Sequence, residues 1–240
     1  MNTIVQGMTS ILELLFKFSS MIGLPYYGVA IIIFTVIIKV LLYPLTWKQM
    51  VSMRRITELQ PKMQELQKKY GKNKEKLNQK MMELYTKEKV NPYAGCLPIL
   101  VQLPILWAFY QTLFRFPYSN DSTIWFLGFD ITKAYGFSLD YHLLLPIIAA
   151  ATTYIMTKVS TATNPSMNAA KDAKPGTPQA TAQQTQKFMF VVMPFFMAYI
   201  VATLPSGLGI YIITMNVVSM LQTVYINKKL AAEKQKAEAA

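Results

Sequence analysis

Residues 26–47 read YYGVAIIIFTVIIKVLLYPLTW. The run is long enough to cross a bilayer as a helix, which takes roughly 20 residues. Tyr26 and Tyr27 at one end, and Tyr43 and Trp47 at the other, fit interfacial aromatic belts. Pro25 stands where a missing N–H costs a helix little. The run carries one charge, Lys39, and no other apolar run offers it a carboxylate. An ionisable group inside a span is costly and marks a functional site by default.

The composition agrees with a membrane protein. Of 240 residues, 52% are hydrophobic and 15% charged, with a formal net charge of +12. An ordinary soluble domain carries about 25% charged residues. A single cysteine, Cys96, cannot close an internal disulfide, and the lone His142 argues against a histidine metal site. No cofactor is expected, because no nucleotide-binding motif of the form G-x-x-x-x-G-K-[ST] occurs.

Outward from the first run, the chain reads as an all-α polytopic membrane protein with five transmembrane helices. Residues 1–24 form an amphipathic helix lying in the interface, with Ile4, Met8, Ile11, Leu12, Leu15 and Phe18 at helical spacing. They lack the basic start of a signal peptide, and Glu13 and Lys17 interrupt the apolar face. Span one is 25–47. Residues 48–91 hold 12 Lys/Arg against 5 Asp/Glu. There Ile56, Leu59, Met63, Leu66 and Tyr70 make a heptad seam, which Leu77, Met81 and Leu84 resume after Gly71 to Lys74. This predicts a cytosolic antiparallel helical hairpin whose first arm Pro61 kinks or restarts.

Span two is 92–114, with Pro98 and Pro104 inside it, and 115–140 is an extracellular loop. Span three is 141–157. Residues 158–187, rich in Ala, Thr, Gln and Pro, read as a flexible cytosolic loop. Span four is 188–204, and 205–226 is span five after the turn Pro205-Ser206-Gly207. A basic tail, 227–240, closes the chain. The positive-inside rule places the N-terminus outside and the C-terminus in the cytosol, and then all three basic segments fall on one side. Spans three and four, with about 17 apolar residues each, sit near the lower limit for crossing and would thin the bilayer.

Counting residues from the cytosolic ends puts several polar groups at one depth. Lys39 and Gln102 are level, Thr35 lies one turn from Lys39, and Thr152 and Thr153 fall in the same half. Asn216, Ser219 and Thr223 form one helical stripe with Gln222 beside it. The outer half of span one has no strongly polar side chain. These positions predict a hydrated groove open to the cytosol, sealed outside and centred on Lys39. Such a groove would draw in a transient anionic guest, because attraction strengthens in low dielectric. The simpler alternative is that Lys39 snorkels to the headgroups and that the polar stripe bonds helix to helix. On the hairpin, Arg54, Arg55, Lys62, Lys68, Lys69, Lys72 and Lys74 suit partners or anionic lipids.

Four stretches carry a resemblance: IIIFTVIIKVLLYPLT, LQPKMQELQKKYG, NPYAGCLPILVQLPILWAFYQTL and LPSGLGIYIITMN. With Asn91, Pro92, Pro98 and Pro104 at their spacing, the chain resembles the YidC/Oxa/Alb membrane protein insertases over residues 20–228, specifically the five-span YidC of Gram-positive bacteria. The resemblance implies a non-enzymatic insertase and chaperone for nascent membrane proteins, working alone or with the Sec translocon. It implies a cytosol-facing groove with a key basic residue, commonly Arg, at the position Lys39 holds; a guanidinium keeps its charge more firmly than an ammonium. The hairpin at about 50–90 would be a mobile functional element. A ribosome would be held only weakly by the tail and loops, and a monomer is expected. A channel or transporter is the main rival, although five spans do not divide into repeated halves. An intramembrane protease has no spanning Asp, Glu or Ser–His pair to use.

Overall fold

The computed structural model describes residues 2–71, 73–91, 97–116, 118, 121–137, 139–162 and 178–238. The order is α1 (Asn2–Met21), α2 (Tyr27–Leu41), α3 (Tyr43–Glu58), α4 (Gln60–Tyr70), α5 (Lys74–Lys87), α6 (Leu97–Arg115) and α7 (Asp121–Ile124). A ribbon follows, β1 (Trp125–Phe126) and β2 (Phe129–Asp130), then a 3-10 turn (Tyr141–Leu143), α8 (Leu144–Ala162), α9 (Pro178–Thr203) and α10 (Ser206–Glu238). Among the described residues, two helices are long and apolar enough to cross a membrane, Tyr141–Ala162 and Ser206–Glu233. They are three if the pair broken at Leu42 counts as one, and Phe190–Thr203 is a shorter apolar helix.

The chain divides into two compact units. The first comprises Met1–Leu42, Leu100–Met156 and Val192–Met220. Its contacts fix the helix directions. Tyr27 meets Phe116 while Phe34 stacks on Phe109, so α6 runs against α2. Gly207 lies against Ile31, and Phe109 also stacks on Tyr211, so α10 runs with α2. Leu145 packs at Gly209 and Thr153 bonds Asn216, so α8 runs with α10. A Cβ at Gly209 would fall 2.7 Å from Val201 Cγ1 and 2.8 Å from Leu145 Cδ2. The missing side chain lets α8, α9 and α10 close on one another.

One face of α1, Val5, Leu12, Leu15 and Ser19, is buried, and Phe16 stacks on Tyr27 at 3.9 Å. Ile11, Leu14, Phe18 and Met21 are exposed. The apolar residues expected along one stripe therefore divide between a core face and an exposed face.

The segment between α6 and α8 is clasped to the α9–α10 turn. Ser206 N donates to Lys133 O at 2.9 Å, Gly207 N to Ile131 O at 3.0 Å, and Gly136 N to Ala202 O at 2.8 Å. The buried Ser206 hydroxyl donates to Asp130 O at 2.7 Å. The ribbon is a departure from the all-α expectation. Its two-residue strands are too short for an alternating pattern to register.

In the second unit (Tyr43–Ile99, Thr157–Val191 and Leu221–Ala240), α4 and α5 bury Leu59, Met63, Leu77, Met81 and Val90 between them, with Ile56, Leu66, Tyr70 and Leu84 alongside. Lys62 near the start of α4 pairs with Glu88 just past α5 at 2.5 Å, so the two helices are antiparallel. Pro61 stands in the first turn of α4, where its ring fits a helix start. Asn73 Oδ1 accepts from Lys76 N and caps α5.

One expectation needs correction. Within 158–187, α8 continues to Ala162 and α9 begins at Pro178. Pro suits a first helical turn, and the Ala- and Gln-rich stretch behind it tolerates a helix. The middle of that predicted loop lies outside the described residues.

Candidate functional site

Three stacked rings set the register of three of the helices that carry the polar residues picked out by depth. Phe34, Phe109 and Tyr211, from α2, α6 and α10, have centroids 5.5 and 4.6 Å apart, and all are buried. Leu113, Ile31 and Leu208 fill the core on the Tyr27 side of this layer. On the other side the character changes. Lys39 and Asn216 each stand five residues beyond their ring, about 7.5 Å along the axis at 1.5 Å per residue. Gln102 precedes Phe109 in the antiparallel α6 and so falls on that side as well. Its Nε2 donates to the Tyr211 hydroxyl at 2.7 Å.

Lys39 is half-buried in the last turn of α2. The sequence places it mid-helix in a run continuing to Trp47. The helix instead ends at Leu41, and α3 begins at Tyr43 with Pro44 in its first turn. Pro44 lacks the N–H for a continuous ladder, and its ring crowds the carbonyl four residues back. The break sets the ammonium beside the negative end of a helix dipole. That is worth about 0.3–1 kcal/mol, and up to ~2 when partly buried, against a cost of ~2.5–3.5 kcal/mol for a cation mid-span.

Asn216 bridges α10 to α8. Its Nδ2 donates to Thr153 Oγ1 at 2.9 Å and to Thr152 Oγ1 at 3.3 Å. Each threonine hydroxyl in turn donates into its own helix, Thr153 to Ala149 O at 2.7 Å and Thr152 to Ile148 O at 2.8 Å. Thr35 is fully buried and donates to Ile31 O at 2.7 Å. It supports the packing under Lys39 more than it offers a surface. Ser219 is half-buried, one turn beyond Asn216. Gln222 and Thr223 fall on the part of α10 that belongs to the second unit, where Thr223 is buried and its carbonyl accepts from Asn227 Nδ2 at 2.8 Å.

Among the basic hairpin residues, Lys62 makes the Glu88 ion pair, and Arg54, Arg55, Lys68 and Lys69 are half-buried or exposed. Lys72 and the Lys74 side chain lie outside the described residues. In the same unit Lys229 Nζ sits 4.9 Å from the centroid of Trp47. Tyr211 and Asn227 are polar members that inspection of the sequence missed. The spacing from Asn216 through Thr223 continues to Asn227, but Tyr211 has no such signal, since its partners lie in other helices.

The fold and this end of the first unit define a class: a helical membrane protein with a half-buried cation at a helix end and polar hydrogen bonds between its helices. A model of the family described as 60Kd inner membrane protein matches residues 17–234, and the chain belongs to that family, the YidC family. A membrane protein insertase YidC from Oceanobacillus iheyensis is 41% identical over 214 residues, 87% of this chain and 77% of that one. One from Caldanaerobacter subterraneus subsp. tengcongensis is 37% identical over 197 residues, 82% of each. One from Helicobacter pylori is 33% identical over 232 residues, 96% of this chain but 37% of that longer protein.

Proposed function

We propose that this protein is a membrane protein insertase and chaperone. It crosses the bacterial cell membrane five times, with its N-terminus outside and its C-terminus in the cytosol. It works through a hydrophilic groove open to the cytosol, and no covalent chemistry is involved. What supports this is that Lys39, Gln102 and Asn216 lie toward the same side of the Phe34–Phe109–Tyr211 layer along their own helices, with Thr152 and Thr153 bonded to Asn216. Polar groups gathered on that side of the ring layer can hold a guest's short hydrophilic segment, and the ring layer forms the floor. Lys39 attracts an acidic residue of that segment. The guest's apolar span then leaves sideways into lipid. The relatives' name, membrane protein insertase, supports the same function.

The further partners follow from charge. Nascent membrane proteins are the guests, shared with the Sec translocon for larger ones. Arg54, Arg55, Lys62, Lys68, Lys69, Lys72 and Lys74 meet anionic lipid or an incoming complex on the cytosolic face. The basic tail gives a weak, salt-sensitive hold on a ribosome. The protein acts as a monomer.

The test is site-specific photo-crosslinking. Probes replace Lys39, Gln102 and Asn216 in turn, against a ribosome-stalled single-span protein with an acidic outer segment. Adducts at all three, and none from a probe at the exposed Ile147, are expected. Adducts at Ile147 alone would overturn the groove.

A further inference from the structure

The segment joining α6 to α8 reads from sequence as a loop in water, yet among its described residues two leucines are largely exposed. Leu139 is 98% exposed and Leu127 80%. They are not scattered. The Tyr141 hydroxyl donates to Gly128 O at 3.1 Å, and a Cβ at Gly128 would lie 3.5 Å from the Tyr141 ring. This sets the Leu127–Gly128 tip beside Tyr141, two residues from Leu139. From Tyr141 the exposed apolar column runs on through Leu144, Ile148, Ala151 and Ile155 at spacings of 3, 4, 3 and 4, one face of α8. That helix is among those long and apolar enough to cross a membrane. Its exposed column does not end where the helix ends but continues to the Leu127–Gly128 tip.

The tip itself is a second observation. Leu127 has φ +53° and Gly128 φ +84°. Two positive φ values in a two-residue hairpin loop are the demand of a type I′ turn, met elsewhere by Asn-Gly or Asp-Gly. Leucine is disfavoured in the left-handed region, where its Cβ crowds the following carbonyl oxygen. A residue poorly suited to the turn, and almost wholly exposed, gains nothing in water. At the boundary of headgroups and acyl chains it gains the transfer energy of removing its apolar side chain from water. Tyr141 and the half-exposed Trp125 are the residue types that favour that depth.

We propose that the 125–141 segment is a lipid-docking element, with Leu127 and Leu139 inserted into the headgroup–acyl boundary of the phospholipid leaflet at the Tyr141 end of α8. The Ser206 and Gly207 hydrogen bonds clasp this element to the α9–α10 turn. It therefore fixes the depth of that turn in the bilayer, and with it the level of the ring layer. The inference rests on α8 crossing the membrane and not on guest insertion, so the two stand or fall separately.

The full chain carrying Cys96→Ser is reconstituted in nanodiscs of phosphatidylcholine and phosphatidylglycerol, where both faces meet solvent. An environment-sensitive fluorophore is attached at Leu127→Cys or Leu139→Cys, and at Lys80→Cys as an aqueous reference. The expected result at both leucine positions is blue-shifted emission, several-fold weaker quenching by iodide than at position 80, and strong quenching by a lipid with a nitroxide high on its acyl chain. Iodide quenching equal to the reference overturns the proposal. Shielding from both quenchers also overturns it, since a protein surface would then be the cover. Leu127→Asn eases the turn while removing the apolar anchor. It is expected to keep its detergent melting temperature and to raise iodide quenching at position 139; unchanged quenching there counts against a joint anchor.

Discussion

At Lys39 the electrostatics of one residue depend on where a helix stops. The break at Leu42 turns a mid-span cation into one at a helix C-terminus, which recovers part of its burial cost. Its attraction for a carboxylate 4 Å away ranges from about 1 kcal/mol in bulk water to about 4 at the dielectric typical of a protein surface. Loss of about 1.4 kcal/mol is tenfold in an equilibrium. Lys39→Ala is therefore expected to lower insertion of an acidic-tailed guest roughly tenfold or more, with Lys39→Arg close to wild type, in a proteoliposome assay. Equal loss in both would remove the charge from the account. Tyr211→Phe keeps the stack and removes the hydrogen bond to the half-buried Gln102, a cost of about 0.5–1.5 kcal/mol. Tyr211→Ala opens a cavity in the layer and should cost about 3–5 kcal/mol, as for other aromatic truncations. Melting curves in detergent separate the two. At Asp130, burial pushes the carboxyl up, but hydrogen bonds from the Thr132 hydroxyl and amide and from Lys133 outweigh it and hold the group below its ordinary value. Its contribution to stability is present above the usual Asp pKa of about 3.9 and is lost as pH falls through the depressed folded value. Asp130→Asn is expected to flatten the acid limb of the melting temperature against pH; an unchanged limb would show that other groups set it.

At the scale of elements, the hairpin was the most legible. Its seam residues Leu59, Met63, Leu77 and Met81 are the ones that α4 and α5 bury, because a heptad is a local signal. Leu77→Ala should cost about 2–5 kcal/mol within that unit, seen as faster hydrogen exchange in α4 and α5 with α8 unchanged. Exchange rising equally in α8 would mean the two units open together. The ribbon, the clasp and the Tyr211 contacts were not legible. Ser206 and Asp130 are 76 residues apart, and nothing in either's neighbourhood announces the other. The helical start of α9 at Pro178 was hidden by a polar composition that suits a loop as well as a surface helix.

For the whole molecule, the depth count from the span ends proposes one level for Lys39, Gln102, Thr152, Thr153 and Asn216. Depth in a bilayer is set by residue number at a fixed rise, so it survives ignorance of which helices touch. What it could not supply is whether water reaches that level. The decisive measurement is thiol modification of Lys39→Cys in a Cys96→Ser background, in membranes oriented with the cytosolic face outward and treated with a charged, impermeant maleimide. Rapid modification from that face, slowed by a bound guest, is expected, with none at Phe34→Cys below it. A Lys39→Cys thiol inert to the charged reagent, yet modified by a lipid-soluble one, would place the residue among acyl chains and contradict the groove.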